Sequence, residues 1–289
     1  HIRQMIDRAD RMLDWGYMIR AIEQAEPVHP PGTRTGYHGL TYGYIVGELL
    51  QRVTGRSLAE LVRRELVDPL GLDGMYIGAP QHELPRAAEL IWPRRNILTP
   101  VLPAGVTRRV LSATSPVVRR GARLVGLQLD VESILDSLAP RGIGHFDFGA
   151  NETLRASIPA ANGLFTARSL ARMYAALAGG GEVDGVRLLS RRTLRRATRQ
   201  QSHGGLFAVI PVDMRWRLGY HGVFTTRGSP RNAFGHFGFG GSGAWCDPSR
   251  DLAVAMIVNS GIGTPFGDAR IARISAAALR AADARPRSK

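Results

Sequence analysis

A glycine-rich stretch in the last fifth of the chain holds the first candidate for chemistry. Residues 234–247 contain several glycines and one ionisable base, His236. Glycine lacks the side chain that would keep backbone N–H groups away from a ligand. A histidine beside such a bare strand edge is well placed to meet a substrate. One alternative stays open, in which the glycines mark a bulge and His236 is an ordinary strand residue.

Two other residues of this stretch resemble nucleophiles but fit structural roles better. Ser242 lies in Gly-Gly-Ser-Gly, yet position 244 is alanine, so the Gly-x-Ser-x-Gly pattern is incomplete. A nucleophile elbow also needs a strand-to-helix turn, whereas Ser242 leads into a strand. Cys246 is the only cysteine and lies in that apolar strand, as a small buried hydrophobic residue does. We therefore interpret Ser242 as a backbone-proximal residue, and no internal disulfide is possible.

Metal and cofactor chemistry find little support in the sequence. His145 and Asp147 lie two positions apart in Gly-His-Phe-Asp-Phe. No second pair of ligands follows at a spacing typical of metal sites. The sequence therefore predicts no bound metal and no cofactor.

The charge of the chain is strongly positive without forming a recognisable binding patch. The net charge is +14, and Lys289 is the only lysine among 38 basic residues. The arginines are spread along the whole chain, without the interleaved aromatic residues that a single-strand binder needs. We expect no nucleic-acid partner; steeply salt-dependent affinity would reveal one.

The composition bounds the class and the compartment. A chain of 289 residues with 44% hydrophobic residues has room for one large core or two lobes. No apolar run approaches the roughly 20 residues of a membrane helix, so we expect no transmembrane segment. A single cysteine suits a reducing compartment, and we predict a cytoplasmic location. The chain begins with His1, so we expect it to be a piece of a longer protein.

The hydrophobic pattern predicts helices first, then antiparallel strands, then a closing helix. Helices are predicted near 12–23, from 40 to a stop at Gly55, over 58–67 with Ser57 as N-cap, over 167–178 with Thr166 as N-cap, from the Ser190 cap to 199, and over 268–282, with a further helix over 123–138. In the helix from 40, one buried face is predicted to hold Tyr44, Gly47, Leu50 and Val53; in the closing helix, Ile271, Ile274 and Leu279 are predicted to face inward. A hairpin is predicted around Asp184-Gly185, and the polar residues 213–217 are interpreted as a solvated loop. Strands are predicted over 206–212, 218–224, 234–247 and 252–258.

This order indicates an α+β fold. We predict one domain over 1–289, with a mainly helical lobe over about 1–180 and a sheet lobe over about 181–289. Sites in such folds often lie in the cleft between lobes.

Five motifs, taken together, resemble one family. They are Tyr37-His-Gly-Leu-Thr-Tyr, Val53-Thr-Gly-Arg-Ser, Asp68-Pro-Leu-Gly-Leu, Pro159-Ala-Ala-Asn-Gly and Gly235-His-Phe-Gly-Phe-Gly-Gly-Ser. In this order and spacing they resemble the serine β-lactamase-related hydrolases, which include class C β-lactamases, penicillin-binding proteins and β-lactamase-like carboxylesterases. His-x-Gly in place of Lys-Thr-Gly resembles the esterase-like branch. The resemblance implies a β-lactamase/transpeptidase-like fold and a small ester or amide as substrate.

The resemblance also implies roles for single residues. Tyr37 matches the tyrosine that shuttles a proton between the catalytic serine and the leaving group. His236, Phe237 and Gly238 match the third motif, which lies on an edge strand and helps to bind the substrate. The backbone N–H of Phe239 matches one half of an oxyanion hole. Alternatively, Tyr37 is a helix-start aromatic residue that packs on Pro31.

The chain departs from the family in its nucleophile. The family uses Ser-x-x-Lys, whereas the only lysine here is Lys289, three positions after Pro286. Gly39 also stands where class C enzymes carry asparagine in Tyr-x-Asn. We expect the helix with Ser-x-x-Lys to be missing, leaving an apolar groove and little or no turnover. The alternative is a non-catalytic scaffold or ligand-binding member of the fold.

Overall fold

The structure is a computed structural model that describes residues 6–27, 29–33, 35–91, 140–202, 214–260 and 269–285. The helix predicted over 123–138 and the strand predicted over 206–212 lie outside these residues. Among the helices of the described ranges, none is both long enough and apolar enough to cross a membrane.

Seven helical elements follow one another through the described part of the chain. They are α1 Trp15–Gln24, α2 Thr41–Thr54, α3 made of Leu58–Val62, Arg63–Val67 and Asp68–Leu70, α4 Asn151–Arg155, α5 Ala167–Ala178, α6 Arg191–Thr198 and α7 Ala269–Asp283. Short 3₁₀ turns cover Ala9–Leu13, Gln81–Arg86, Ile143–His145 and Phe239–Gly241.

The predicted N-caps are confirmed. The side chains of Ser57, Thr166 and Ser190 each accept a hydrogen bond from the backbone N–H three positions on. Each bond satisfies one of the donors that the first turn of a helix leaves without a partner. The C-terminal stop of α2 is also as predicted, because Gly55 adopts the left-handed conformation at φ 68° that a glycine tolerates best.

Helix α3 is longer than predicted. The sequence predicts an end near Asp68, before Pro69, but the helix continues to Leu70 and ends at left-handed Gly71. The middle segment Arg63–Val67 is wound as a π-helix. At the helix end the Leu72 N–H donates to the carbonyl of Val67 at 3.0 Å and the Gly71 N–H to that of Asp68 at 3.3 Å, which is the Schellman pattern around a left-handed residue. Pro69 has no N–H to donate and lies in the last turn of α3, two positions before Gly71.

The main sheet has four antiparallel strands, each paired with the next along the chain. Two small antiparallel pairs precede it: β1 Met75–Tyr76 with the distant β2 Leu164–Phe165, and the hairpin of β3 Glu182–Val183 with β4 Val186–Arg187. The sheet strands are β5 His221–Gly222, β6 Phe234–Phe237, β7 Gly243–Asp247 and β8 Leu252–Met256. The hairpin at Asp184-Gly185 is confirmed, with both residues at positive φ.

The strand predicted over 218–224 is much shorter in the structure. Only His221–Gly222 pairs with β6, in the register His221 to Gly235. Gly219 adopts φ 83°, a left-handed conformation that interrupts an extended strand. The pairing with β6 therefore starts only two residues later.

Helices α5 and α7 both pack on the sheet. Tyr174 and Leu177 of α5 form a core with Phe234 and Cys246. Ile271 and Leu279 of α7 form a second core with Phe237 and Trp245, whose indole N–H donates to Ser275 at 2.8 Å. Helix α5 lies before residue 180 and nevertheless packs with the sheet; the division into two lobes stays a prediction.

A third core holds the elements that precede the candidate site. Met12, Met18, Tyr44 and Ile158 are fully buried in it. The Tyr44 hydroxyl donates to the carbonyl of Met12 at 2.6 Å. This core fixes the start of α2 against α1.

One half of the predicted inner face of α2 is exposed. Tyr44 and Gly47 are buried as predicted, but Leu50 is 40% and Val53 is 75% exposed. A spacing of three residues falls 60° short of a full helical turn at each step, so Val53 points away from Tyr44. Ile274 of α7, three positions after buried Ile271, is 46% exposed for the same reason. Tyr42, Ile45 and Leu49 are also exposed, which leaves an apolar surface on α2.

Candidate active site

Tyr37 lies in the short loop before α2 and stacks on Trp216. The ring centroids are 5.5 Å apart and the ring planes differ by 24°. The loop is held in place because α2 packs directly on a turn of the chain. A Cβ added to Gly43 would lie 2.7 Å from the Cβ of Pro159. Tyr37 is therefore positioned by the packing of α2 on this turn and by its stack on Trp216.

The turn under α2 belongs to the predicted Pro159-Ala-Ala-Asn-Gly motif. Asn162 is buried and accepts a hydrogen bond from the Ile158 N–H at 3.0 Å. Its amide nitrogen donates to the carbonyls of Thr153 and Ala156. Asn162 thus holds the backbone on which Gly43 packs.

Trp216 was missed by the sequence analysis, which interpreted residues 213–217 as a solvated loop. That interpretation is wrong for the described residues 214–217, which are buried or half-buried. The backbone N–H of Trp216 donates to the Ser202 hydroxyl at 3.0 Å, and the backbone carbonyl of Trp216 accepts from the Gln201 N–H at 2.7 Å. Arg217 donates to the carbonyl of Ala233 at 2.8 Å. These contacts hold the segment against the sheet although its sequence is polar.

His221 was also missed. It is 1% exposed and lies at the start of β5. Its ring contacts Trp216 edge-on at 5.8 Å and the ring of His236 at 5.0 Å between centroids. Nδ1 lies 2.7 Å from the carbonyl oxygen of Gly222, and Nε2 accepts the backbone N–H of Phe237 at 3.1 Å. His221 therefore connects the Trp216 segment with β6.

His236 lies on β6 opposite Ala244 of β7. Burial, with a smaller contribution from neighbouring His221, lowers the pKa of His236 to about 4. The imidazole is therefore neutral at pH 7 and acts as a hydrogen-bonding group.

The other predicted site residues lie directly after His236. The side chain of Phe237 is 4% exposed and belongs to the core with Trp245. The Gly238 N–H donates to the carbonyl of Ser242 at 2.8 Å. Phe239 begins a 3₁₀ turn in which Gly240 adopts φ 85°. The substrate-binding roles of Phe237, Gly238 and Phe239 stay predictions, and Phe237 contributes its side chain to the core.

An arginine of α7 holds the turn after His236. The guanidinium of Arg270 donates to the carbonyl of Gly240 at 3.0 Å and to the Ser260 hydroxyl at 2.8 Å. No sequence motif marks Arg270. Its contact depends on the closing helix folding back on the glycine turn.

Ser242 and Cys246 have the structural roles that the sequence indicates. The Ser242 hydroxyl accepts the Val258 N–H at 3.0 Å and lies 3.3 Å from the carbonyl oxygen of the same residue. It therefore joins the ends of β7 and β8. Cys246 is fully buried, and burial raises the pKa of its thiol, which disfavours the nucleophilic thiolate.

Tyr37 is a poor base in this environment. Burial raises the pKa of its phenol above the ordinary value, so the hydroxyl keeps its proton at neutral pH. A nearby positive charge would lower this pKa, and the family's lysine, which supplies it, is missing from the sequence. No group of three or more His, Cys, Asp or Glu side chains suited to a metal occurs within the described ranges.

A cavity of about 970 Å³ lies beside the Asn162 turn and Arg270. Tyr76, Glu83 and Asp147 are also among its lining residues, whereas Tyr37 and His236 are not. We place the candidate site at the ring contacts and not at this cavity, because the ring contacts connect the two predicted motifs.

Comparison with known proteins decides the family. The Beta-lactamase family model matches residues 4–279. The chain belongs to the beta-lactamase family. This beta-lactamase family member is 36% identical over 249 residues to "Esterase/beta-lactamase LipL" from Mycobacterium tuberculosis. The match covers 86% of the chain but 53% of LipL, so the chain spans about half the length of this curated relative.

Solved structures of the beta-lactamase family confirm the fold and the esterase-like branch. A penicillin-binding protein homologue from Caulobacter crescentus is 30% identical, with a TM-score of 0.71, and the match covers 93% of this chain and 65% of that one. A family VIII carboxylesterase is 27% identical, with a TM-score of 0.72 and coverage of 96% and 70%. The predicted β-lactamase/transpeptidase-like fold is therefore correct.

Proposed function

We propose that this beta-lactamase family member carries the substrate-binding part of a serine hydrolase that cleaves small esters or amides through an acyl-enzyme. The observation that carries the proposal is the continuous ring contact from Tyr37 through Trp216 and His221 to His236. These contacts connect the two motifs of the resemblance, which are 199 positions apart in the sequence, and so support a common site.

Within this site we propose that Tyr37 handles the proton and that His236 orients the substrate. A phenol that keeps its proton acts as a hydrogen-bond donor toward the leaving group. A neutral imidazole offers one donor and one acceptor without a formal charge. The Phe239 N–H is proposed as one donor of the oxyanion hole, where a donor works only close to the developing charge.

The neutral state of His236 favours uncharged acyl esters over substrates that carry a carboxylate. A cation at this position would attract a carboxylate through charge-assisted hydrogen bonds. A neutral imidazole does not provide this attraction. Two of the similar proteins are named an esterase/beta-lactamase and a carboxylesterase, which supports an ester as the substrate class.

We further propose that residues 1–289 alone turn over little or no ester. Acyl transfer in this family needs a serine activated by a nearby base, and Ser-x-x-Lys is absent from the sequence. Ser242 does not replace this serine, because its hydroxyl bonds to the backbone of Val258.

Hydrolysis of p-nitrophenyl butyrate tests the proposal on two forms of the protein, residues 1–289 and a version extended upstream in its reading frame. We expect hydrolysis only in the extended version. Hydrolysis by residues 1–289 would contradict the assignment of the nucleophile to Ser-x-x-Lys. Circular dichroism on both forms shows that each is folded when it is assayed.

A non-catalytic ligand-binding role is the second candidate. The missing nucleophile motif and the raised pKa of Tyr37 favour it. Under this role both forms are folded and silent toward the ester. An intact Ser-x-x-Lys in the extended version that hydrolyses the ester would exclude it.

A further inference from the structure

His221 lies between the two motifs, and its hydrogen bonds require one protonation state. The carbonyl oxygen of Gly222 can only accept, so the ring nitrogen Nδ1 donates to it at 2.7 Å. The backbone N–H of Phe237 can only donate, so Nε2 accepts from it at 3.1 Å. Both bonds form together only in the neutral ring with its proton on Nδ1.

The Phe237 N–H lies at a point of β6 that β5 does not reach, so β5 supplies no backbone carbonyl to accept it. Strand β5 begins at His221, which pairs with Gly235 of β6. Phe237, two residues further along β6, therefore lies past the end of β5. An N–H at this depth costs free energy if it lacks an acceptor. The His221 side chain supplies the acceptor that the strand does not.

The same ring supports the two flanking aromatic groups. Trp216 meets it nearly at a right angle, at 84°, and the ring of His236 is tilted by 59° to it. Trp216 in turn carries the stack with Tyr37. A substitution at His221 is therefore expected to shift both Tyr37 and His236, although His221 itself does not contact the substrate.

We propose that His221 is a positioning residue: its neutral ring accepts the Phe237 N–H, and this bond fixes the His236-Phe237-Gly238 strand end relative to Trp216 and Tyr37. The inference rests on the proposed function, since it assumes that Tyr37 and His236 form the substrate site. The chain uses His221 to hold the backbone from which His236 projects.

The surroundings of His221 keep its ring neutral. His236 faces it from β6, while Arg215 and Arg217 lie on the segment before β5. Burial is the main cause that lowers the pKa of His221, and both arginines add to it; the Gly222 hydrogen bond opposes them. A second proton on Nε2 would also break the bond from the Phe237 N–H.

Three substitutions separate the hydrogen bond from simple packing. His221→Gln places an acceptor oxygen near the position of Nε2. In His221→Asn the side-chain amide extends only as far as Nδ1 and cannot accept the Phe237 N–H. His221→Phe keeps a ring but has no nitrogen acceptor. We expect hydrogen exchange at the Phe237 amide to accelerate about fivefold to tenfold in the Asn and Phe variants, and to return close to the original rate in the Gln variant.

Two measurements on residues 1–289 decide the inference. Nitrogen-15 NMR of the His221 ring is expected to show the proton on Nδ1, and amide exchange is expected to rank the variants as stated. A proton on Nε2, or equal exchange in all three variants, would overturn it. Neither measurement needs turnover, so an extended version that is silent toward esters counts against the proposed function and not against His221 as the holder of the strand.

The functional part of the inference is tested in the extended version. We expect His221→Phe to lower kcat for p-nitrophenyl butyrate about tenfold with little change in KM, and His221→Gln to recover most of the loss. Full activity in the Phe variant of an active enzyme would overturn the role in positioning.

Discussion

Tyr37 stacks on Trp216 with the two ring planes only 24° apart, although 178 positions lie between them in the chain. The stack joins the loop before α2 to the segment before β5. Through this stack a residue before α2 contacts the segment that leads into β5 at the candidate site.

Replacing Trp216 by alanine removes the stack and the support for His221. We expect Trp216→Ala to lower the free energy of unfolding by about 1–3 kcal/mol, because a half-buried aromatic ring loses its contacts. Urea denaturation measures this loss. Trp216→Phe keeps an aromatic ring and serves as the control. An unchanged midpoint and slope in the alanine variant would show that the stack contributes nothing to stability.

The protein is expected to lose stability on acidification from pH 6.5 to 4. Burial lowers the pKa of His38 and of His236 to about 4 in each case, whereas an unfolded histidine titrates near 6.5. Between these values the unfolded chain binds more protons than the folded one, so stability rises with pH and is complete above about 6.5. We expect a loss of roughly 3 kcal/mol from each of the two histidines by pH 4, measured by urea denaturation at a series of pH values.

His82 provides the control for the pH dependence, because its side chain is 78% exposed. His82→Gln is expected to leave the pH profile as it is, and His236→Asn to flatten it. A stability that stays constant from pH 7 to 4.5 would contradict the neutral, buried state of His236.

Ser242→Ala separates a structural serine from a nucleophile. The variant leaves the Val258 N–H without the hydroxyl that accepts it at 3.0 Å, and we expect a cost of about 1 kcal/mol in unfolding free energy. In the extended version, hydrolysis of p-nitrophenyl butyrate is expected to stay within about threefold of the original rate. A change of less than about 1 kcal/mol in the activation free energy corresponds to such a factor. Complete loss of hydrolysis in a folded variant would identify Ser242 as the nucleophile.

Gly43→Ala tests the contact that places Tyr37. The new Cβ would lie 2.7 Å from the Cβ of Pro159 and 2.8 Å from the backbone nitrogen of Ala160. We expect a loss of about 1–3 kcal/mol from overpacking, measured by thermal or urea denaturation. Gly16→Ala in α1 is the matched control, because its Cβ would meet side-chain atoms alone, the flexible end of Arg20 at 3.1 Å and an Asp14 carboxylate oxygen at 3.4 Å. A Gly43 variant as stable as the Gly16 variant would refute the close packing of α2 on the turn.

The features that could be predicted from the sequence are local ones. Ser57, Thr166 and Ser190 cap helices because each lies next to the donors that it satisfies. Asp184-Gly185 makes a two-residue turn because both residues adopt the positive φ that such a turn requires. Tyr37 and His236 could be selected because they belong to short motifs, and the motifs together indicate the family.

The features that could not be predicted depend on residues far apart in the chain. Trp216 and His221 lie in a segment without a motif, and their importance comes from Tyr37 and Phe237, which approach only in the folded protein. The inner face of α2 was wrong at Leu50 and Val53, because steps of three residues drift around a helix. A helix periodicity of 3.6 applied to α2 would have placed Val53 on the outside.

The central claim is that Tyr37 belongs to a site for ester hydrolysis, and the kcat/KM of Tyr37→Phe in the extended version tests it most directly. Tyr42→Phe is the matched control, because Tyr42 lies five positions on, in α2, and is 50% exposed. We expect the Tyr37 variant to lose at least about 100-fold in kcat/KM, as removal of a proton-transfer group does, while the Tyr42 variant keeps its activity. A Tyr37 variant that is folded and as active as the Tyr42 variant would contradict the account.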